Sequence, residues 1–331
     1  MTYLRNLVAT ICYFMLAASA QAYEAGYPGY AQKPGLTLGG GSAGVPPPGI
    51  YMFDQFATYQ ASLYGPGAPI INGSRTTNHV AGASTGFLFV PGWTFLGATY
   101  DAVVVLAASM GDVGAPVNVN PAGIKNPYIV PAELSWKLGD SGVFVKTGIG
   151  VRIPIGSIQG PAGLSNVGYP WWTFQPELVV SYLKDGWNLT ANMFFELNTK
   201  NTLTDYKTGD MFHAEFTAAK KIDKWTVGPV AYYAAQVTGD TSSAFYKYAI
   251  NTNKYELWAA GLLVGYDFGP VALNVWALNE FSAQASGGTS GLPGLDSAKI
   301  TKGYSAFAQL SYRLWAPEEA AALPKRPQFS K

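Results

Sequence analysis

Tight turns alternate with long connections along this chain, and everything between them is strand-length. The tight turns are Pro91-Gly92, Gly139-Asp140-Ser141-Gly142, Asp185-Gly186, Asp223-Lys224 and Gly269-Pro270. The long connections, rich in Gly, Pro, Asn and Ser, fall at 65–75, 110–125, 156–171, 200–209, 238–254 and 284–302. Between them the pattern predicts twelve strands: 50–64, 76–90, 94–109, 126–138, 143–155, 172–184, 187–199, 210–222, 225–237, 255–268, 271–283 and 303–315. Short turns on one rim and long loops on the other, with an even strand number, are the layout of an outer-membrane up-and-down β-barrel.

Side chains on a strand point alternately to its two faces, so a wall between lipid and lumen must alternate apolar and polar residues. Three segments do so clearly. In 143–155, Val143, Val145, Ile149, Val151, Ile153 and Ile155 oppose Lys146, Gly148, Gly150 and Arg152. In 187–199, Trp187, Leu189, Ala191, Met193, Phe195 and Leu197 oppose Asn188, Thr190, Asn192, Glu196 and Asn198. In 303–315, Tyr304, Ala306, Ala308, Leu310, Tyr312 and Leu314 oppose Ser305, Gln309, Ser311 and Arg313. Segment 94–109 fits in part, because Val103 and Val105 blur the polar face next to Thr99 and Asp101.

A soluble sandwich alternates too, with its oily face turned inward. Tryptophan placement favours lipid. Trp93, Trp136, Trp187 and Trp225 lie at or near tight turns and Trp315 ends the last strand, which marks one rim as an interfacial belt. Composition agrees. Charged residues make up 12% of the chain, about half the share of an ordinary globular domain. No apolar run reaches the ~18 residues of a spanning helix.

The first 22 residues read as a secretory signal. Arg5 gives the basic start, Leu7 to Ala18 the apolar core and Ala20-Gln21-Ala22 the cleavage site, so cleavage is expected after Ala22. The single cysteine, Cys12, lies inside this segment, which removes disulfides and thiol chemistry from the mature chain. Removing Arg5 balances the 21 basic residues against the 20 acidic ones, and a neutral chain is a poor nucleic-acid partner. The expected setting is the bacterial outer membrane, with its lipid and lipopolysaccharide as surroundings. Oligomeric state is not set by the sequence.

Residues 23–49 carry Gly39-Gly40-Gly41 and Pro46-Pro47-Pro48, too much Gly and Pro for a helix or ladder. Two readings stand: a flexible leader, or a segment tucked into the lumen as a plug, for which Tyr27, Tyr30, Leu36 and Leu38 offer packing surface. After the barrel, 50–315, residues 316–331 read as a periplasmic tail.

By phase, the expected lumen-facing set is Asp54, Asp101, Glu133, Lys137, Lys146, Arg152, Glu177, Glu196, Glu215, Glu280 and Arg313, with Phe144, Phe194, Tyr232 and Phe307. Mixed signs can pair across neighbouring strands, whereas a strongly ion-selective pore tends toward a ring of one sign. The aromatics suit a narrower interior for small hydrophobic or amphipathic molecules. Tyr169, Trp171 and Trp172 read as an outer aromatic belt.

No catalytic, metal or cofactor set is expected. The two histidines, His79 and His213, belong to no metal spacing. Ser84 is five residues from His79, on the opposite strand face. His213 shares a lumenal phase with Glu215, where a solvated histidine needs no catalytic role.

Three short motifs, Pro46-Pro47-Pro48-Gly49-Ile50-Tyr51, Asn126-Pro127 and Gly265-Tyr266-Asp267-Phe268-Gly269-Pro270, resemble the family named for the meta-pathway of phenol degradation, over most of residues 35–315. The resemblance implies an outer-membrane barrel associated with catabolism of aromatic or other hydrophobic compounds, with no catalytic residues to carry over. It further implies passive uptake of such molecules, in the manner of the fatty-acid channel family, whose members use an N-terminal plug. The competing expectation is a structural or adhesion barrel acting through its external loops. A lumenal enzyme is the third and needs a nucleophile and base in contact.

Overall fold

The computed structural model describes residues 24, 27, 30–161, 165–289 and 295–317. Twelve long strands follow one another: β1 (Gly49–Tyr64), β2 (Thr77–Val90), β3 (Ala98–Val113), β4 (Tyr128–Lys137), β5 (Val143–Arg152), β6 (Thr173–Lys184), β7 (Trp187–Asn198), β8 (Met211–Ile222), β9 (Trp225–Gln236), β10 (Lys254–Asp267), β11 (Val271–Ser286) and β12 (Ile300–Trp315). Each pairs antiparallel with the next, and β12 returns to β1 in register from Tyr51↔Arg313 to Tyr64↔Ile300. The sheet closes on itself, which leaves no unpaired edge. Apart from one 3-10 turn, Ala244–Tyr246, the described residues contain no helix.

Chemistry of the turns sets the rims. At Asp185-Gly186 both residues have positive φ, 54° and 77°, the two-residue hairpin geometry that matches strand twist. The first tight turn is not at Pro91-Gly92. Thr94 and Phe95 pair with Thr99 and Ala98 around Leu96 (φ 50°) and Gly97 (φ 77°), so the chain reverses there. The third strand consequently starts at Ala98 instead of 94 and runs on to Val113. The fifth ends at Arg152, short of the expected 155, because Pro154 lacks the N–H to continue the ladder.

The outward face is apolar and exposed: Phe87, Phe89, Leu106, Ile149, Phe195, Phe216, Leu262 and Phe281 all lie on it. Exposed hydrophobic surface on this scale requires a non-aqueous surrounding. Trp93, Trp187, Trp225 and Trp315 are exposed at the short-turn rim. Trp136, partly covered, donates its indole N–H to Leu96 O at 3.0 Å there.

The buried core lies inside the barrel. Tyr232, Tyr255, Leu257, Trp276 and Phe307 from β9–β12 pack with Tyr27, Ala31 and Leu38 from the N-terminal segment. That segment threads the lumen. Glu24 contacts Asn201 and Thr204 in a long loop, Ala43 contacts Ser135 and Ser181, and the chain enters β1 at the short-turn rim. Residues 1–22 and all but 316–317 of the tail lie outside the described residues.

Candidate functional site

A chain segment without a ladder must find acceptors for its backbone N–H groups, and buried carboxylates must find donors. Here each need meets the other. Glu196 accepts from Ala31 N (3.1 Å) and Gln32 N (2.7 Å). Glu215 accepts from Gly35 N (2.7 Å), Thr37 N (3.0 Å) and Thr37 Oγ1 (2.6 Å). Glu280 accepts from Lys33 Nζ, Tyr59 OH and Tyr232 OH, each at 2.7 Å, and from Gly303 N at 2.9 Å. These three lumenal carboxylates therefore hold the N-terminal segment, and Glu280 also ties β11 to β1, β9 and β12. Glycine is needed where the segment meets the wall: a Cβ on Gly39 would stand 2.1 Å from the Trp276 ring.

The segment packs mostly against β7–β12 and leaves a cavity of about 660 Å³, mostly on the side of β1–β5. Its lining runs from Asn78, Val113 and Lys125 near the long-loop rim to Tyr51, Leu88 and Pro46 near the short-turn rim. Val103, Val105, Ala107, Val130 and Phe53 line it between. The valines that blur the polar face of β3 are thus the apolar wall of the cavity. Phe194 and Phe307 line it too, beside the segment.

Charge is divided along this cavity. Asp101, Glu133 and Glu177 lie level on β3, β4 and β6, with Gly148 of β5 between the last two: Asp101 pairs with Glu133, Glu133 with Gly148 and Gly148 with Glu177. Lys146 Nζ donates to Glu133 Oε2 at 2.8 Å. Arg152 lies four residues beyond Gly148, about 13 Å toward the long-loop rim. Its guanidinium donates to Gln175 Oε1 (2.9 Å) and Gln32 Oε1 (2.8 Å) and stacks on Tyr128. Nearby, burial and then the charge of Arg152 pull the Lys125 ammonium down to about 8.

The remaining expected residues fall elsewhere. Asp54 is a correction: it faces outward. Its neighbour Gln55 points inward and donates to Leu36 O at 2.7 Å, while Asp54 accepts from outward-facing Thr85 at 2.7 Å. Phe144 is half-buried in lumenal phase beside the short-turn rim, opposite Lys137. Lys137 and Arg313 are exposed at that rim, and Lys137 pairs with Asp140 at 3.6 Å. Tyr169 and Trp171, expected in an outer belt, are buried instead and pack with Tyr27, while Trp172 is exposed. His213 is buried between Phe194 and Tyr30, 3.5 Å from Glu196.

At the long-loop rim two further carboxylates are buried. Glu24 accepts from Asn201 Nδ2 (2.8 Å), Thr204 Oγ1 (2.5 Å) and Tyr246 OH (2.8 Å), and burial raises its pKa to about 7. Asp240 accepts from Tyr206 OH, Gly209 N and Gln236 Nε2, and burial likewise raises it to about 7. Sequence pattern gave no sign of this latch, since neither carboxylate lies on an alternating strand.

Residues 73–292 match the family described as MetA-pathway of phenol degradation. The chain belongs to that family. Two of the three motifs that suggested it, Asn126-Pro127 and Gly265 to Pro270, fall inside the match, and Pro46 to Tyr51 falls outside it. The fold is that of the COG4313 outer membrane channel from Pseudomonas putida F1: TM-score 0.66 at 10% identity, covering 85% of this chain and 99% of that one. The NalP autotransporter translocator domain of Neisseria meningitidis (TM-score 0.48, 12% identity, 81% and 90% covered) is more distant. So is a Pseudomonas aeruginosa FadL homologue (TM-score 0.40, 12% identity, 90% and 96% covered). No curated protein sequence matches the chain. The protein is an outer-membrane β-barrel of the phenol MetA-pathway family.

Proposed function

We propose that this barrel is a passive route for small hydrophobic or amphipathic molecules, aromatic compounds among them, across the outer membrane. The observation that carries the reading is the cavity between the N-terminal segment and β1–β5, whose lining reaches from one rim toward the other. Its volume suits a small organic ligand, and its apolar wall with a few charged groups is the usual composition of a binding site. Lipopolysaccharide slows free diffusion of such molecules, so a protein path has a physical use. The family's association with phenol degradation supports aromatic cargo. In this reading residues 30–48 act as a plug that narrows the lumen to one side, and the rim tryptophans act as the inner interfacial belt.

An adhesion barrel acting through external loops is less well supported, because these loops turn inward. Trp171, Tyr169 and Tyr206 are buried, and Asn201, Thr204 and Tyr246 bind Glu24 of the N-terminal segment. The test is uptake of labelled aromatics and alkanes by cells with and without the gene. Faster uptake of a subset of the panel is expected with the gene. Equal uptake across the whole panel would contradict the proposal.

A further inference from the structure

Toward the long-loop rim the cavity wall carries more donors than the protein supplies acceptors. Arg152 and Lys125 both line it, and neither has an ion pair among the described residues. Arg152 donates from Nε and Nη2 to the neutral amide oxygens of Gln175 and Gln32, and its Nη1 has no acceptor among the described residues. The half-buried Lys125 ammonium donates to none of them. Gln175, 1% exposed, has no acceptor for its Nε2. Glu196, whose charge reaches Lys125, receives Ala31 N and Gln32 N instead. Two sheltered cations without a bonded anion repel each other and lose hydration, so the place calls for negative charge.

Register brings the two cations together. Arg152 lies opposite Tyr128, and Tyr128 opposite Val105 of β3. Lys125 N donates to Ala107 O, two residues farther along β3, which is ~7 Å toward the long-loop rim. Tyr128 covers one face of the guanidinium, with Cζ 4.6 Å from the ring centroid, and so fixes the plane of its donors. Below this level the wall is apolar, with Val105, Val103 and Val130 lining the cavity toward the short-turn rim. About 13 Å along the strands from Arg152 stands the row of Asp101, Glu133 and Glu177, which is unsuited to a second negative charge. A ligand lying between therefore has one anionic end and an apolar body.

We infer that Arg152 and Lys125 form a binding site for the carboxylate of an amphipathic monoanion, whose apolar body lies along Val103, Val105 and Val130. A carboxylate carries two acceptor oxygens and one negative charge, which answers Arg152 Nη1 and the Lys125 ammonium together. Its planar shape suits the guanidinium donors. The inference rests on the transport reading and names a substrate class for it: small aryl or alkyl carboxylic acids in their ionised form.

The test uses three probes of matched size, phenylacetate, 2-phenylethanol and 2-phenylethylamine, titrated calorimetrically into the full-length protein in nonionic detergent near neutral pH. Phenylacetate is expected to bind roughly tenfold or more tighter than the alcohol, the increment of charge-assisted hydrogen bonding. In the Arg152→Gln and Lys125→Met variants that ratio is expected to fall toward one. Lys125→Met removes no side-chain bond to the described residues, so it tests the site even where Arg152→Gln fails to fold. An alcohol or amine that binds wild-type protein as tightly as phenylacetate overturns the inference, as does a ratio unchanged in either folded variant. Flux of each probe into proteoliposomes, corrected for protein-free vesicles, separates the two readings. Passage of the alcohol without preference for phenylacetate sinks only the carboxylate site. No passage of any probe sinks the transport reading as well.

Discussion

Thr37 donates twice to one oxygen of Glu215, from its backbone N at 3.0 Å and its Oγ1 at 2.6 Å. With Gly35 N on the other oxygen, a single buried carboxylate of β8 fixes the middle of the N-terminal segment. Glu215→Leu strands those donors in an apolar wall and should weaken attachment of the segment by about 3 kcal/mol. Limited proteolysis of the purified barrel checks this. Cleavage between residues 30 and 48 is expected to accelerate in the variant while the barrel itself stays resistant.

Gly39 lies against the face of Trp276, where a Cβ would come within 2.1 Å of the ring. Trp276 cannot retreat, because it stacks on Phe307 at 5.2 Å and donates to Gly35 O at 2.9 Å. Gly39→Val should displace the segment from the β11 wall. Larger single-channel conductance than wild type is the expected outcome, since a displaced segment opens the lumen.

The rim latch should respond to pH. Burial holds both Glu24 and Asp240 at about 7. Their unfolded counterparts ionise near the ordinary carboxylate range, so between about pH 4.5 and 7 the folded state binds more protons and stability falls as pH rises. The latch is fully favoured below that window and loosens through pH 7. Hydrogen exchange of Asn201 to Gly209 is expected to be faster at pH 8 than at pH 5, beyond the intrinsic base-catalysed increase. Glu24→Gln should flatten that dependence.

Lys146 is the one cation bonded to the acidic row among the described residues. Lys146→Met leaves Glu133 buried without its partner and should cost roughly 3–5 kcal/mol. A lower unfolding temperature is expected for the single variant, with part of the loss recovered in Lys146→Met/Glu133→Gln. Equal melting of single and double variants would show that the pair is not coupled.

Much of this architecture was readable in the chain because lipid imposes strict rules. A spanning strand must alternate, keep its length and turn tightly on one side, so all twelve strands stand in the sequence, eleven of the expected segments within three residues at both ends. The third shifted because Leu96 adopts positive φ, which a leucine rarely signals. Asp54 misled because β1 carries aromatics on both faces, Tyr51 and Phe53 inside and Phe56 outside. In its outward position it is met by the Thr85 hydroxyl, which donates to Asp54 Oδ1 at 2.7 Å. The lumenal path of residues 30–48 left no periodic trace. Its bonds to Glu196, Glu215 and Glu280 depend on which strand each acid occupies, and only the closed barrel brings those strands around the segment. Tyr169 and Trp171 read as a belt because a loop aromatic carries no phase to say that it turns inward.

Val105 and Leu106 are adjacent on β3 and face opposite ways: Val105 lines the cavity, and Leu106 is 54% exposed on the outer wall. They allow the central claim to be tested with two variants of one strand. The measurement is initial uptake of radiolabelled toluene by cells carrying wild-type protein, Val105→Trp or Leu106→Trp at equal surface expression. Passage beside the N-terminal segment requires that Val105→Trp cut uptake several-fold toward the gene-deletion level while Leu106→Trp matches wild type. Uptake by Val105→Trp equal to wild type, or wild-type uptake no faster than the deletion strain, would contradict it.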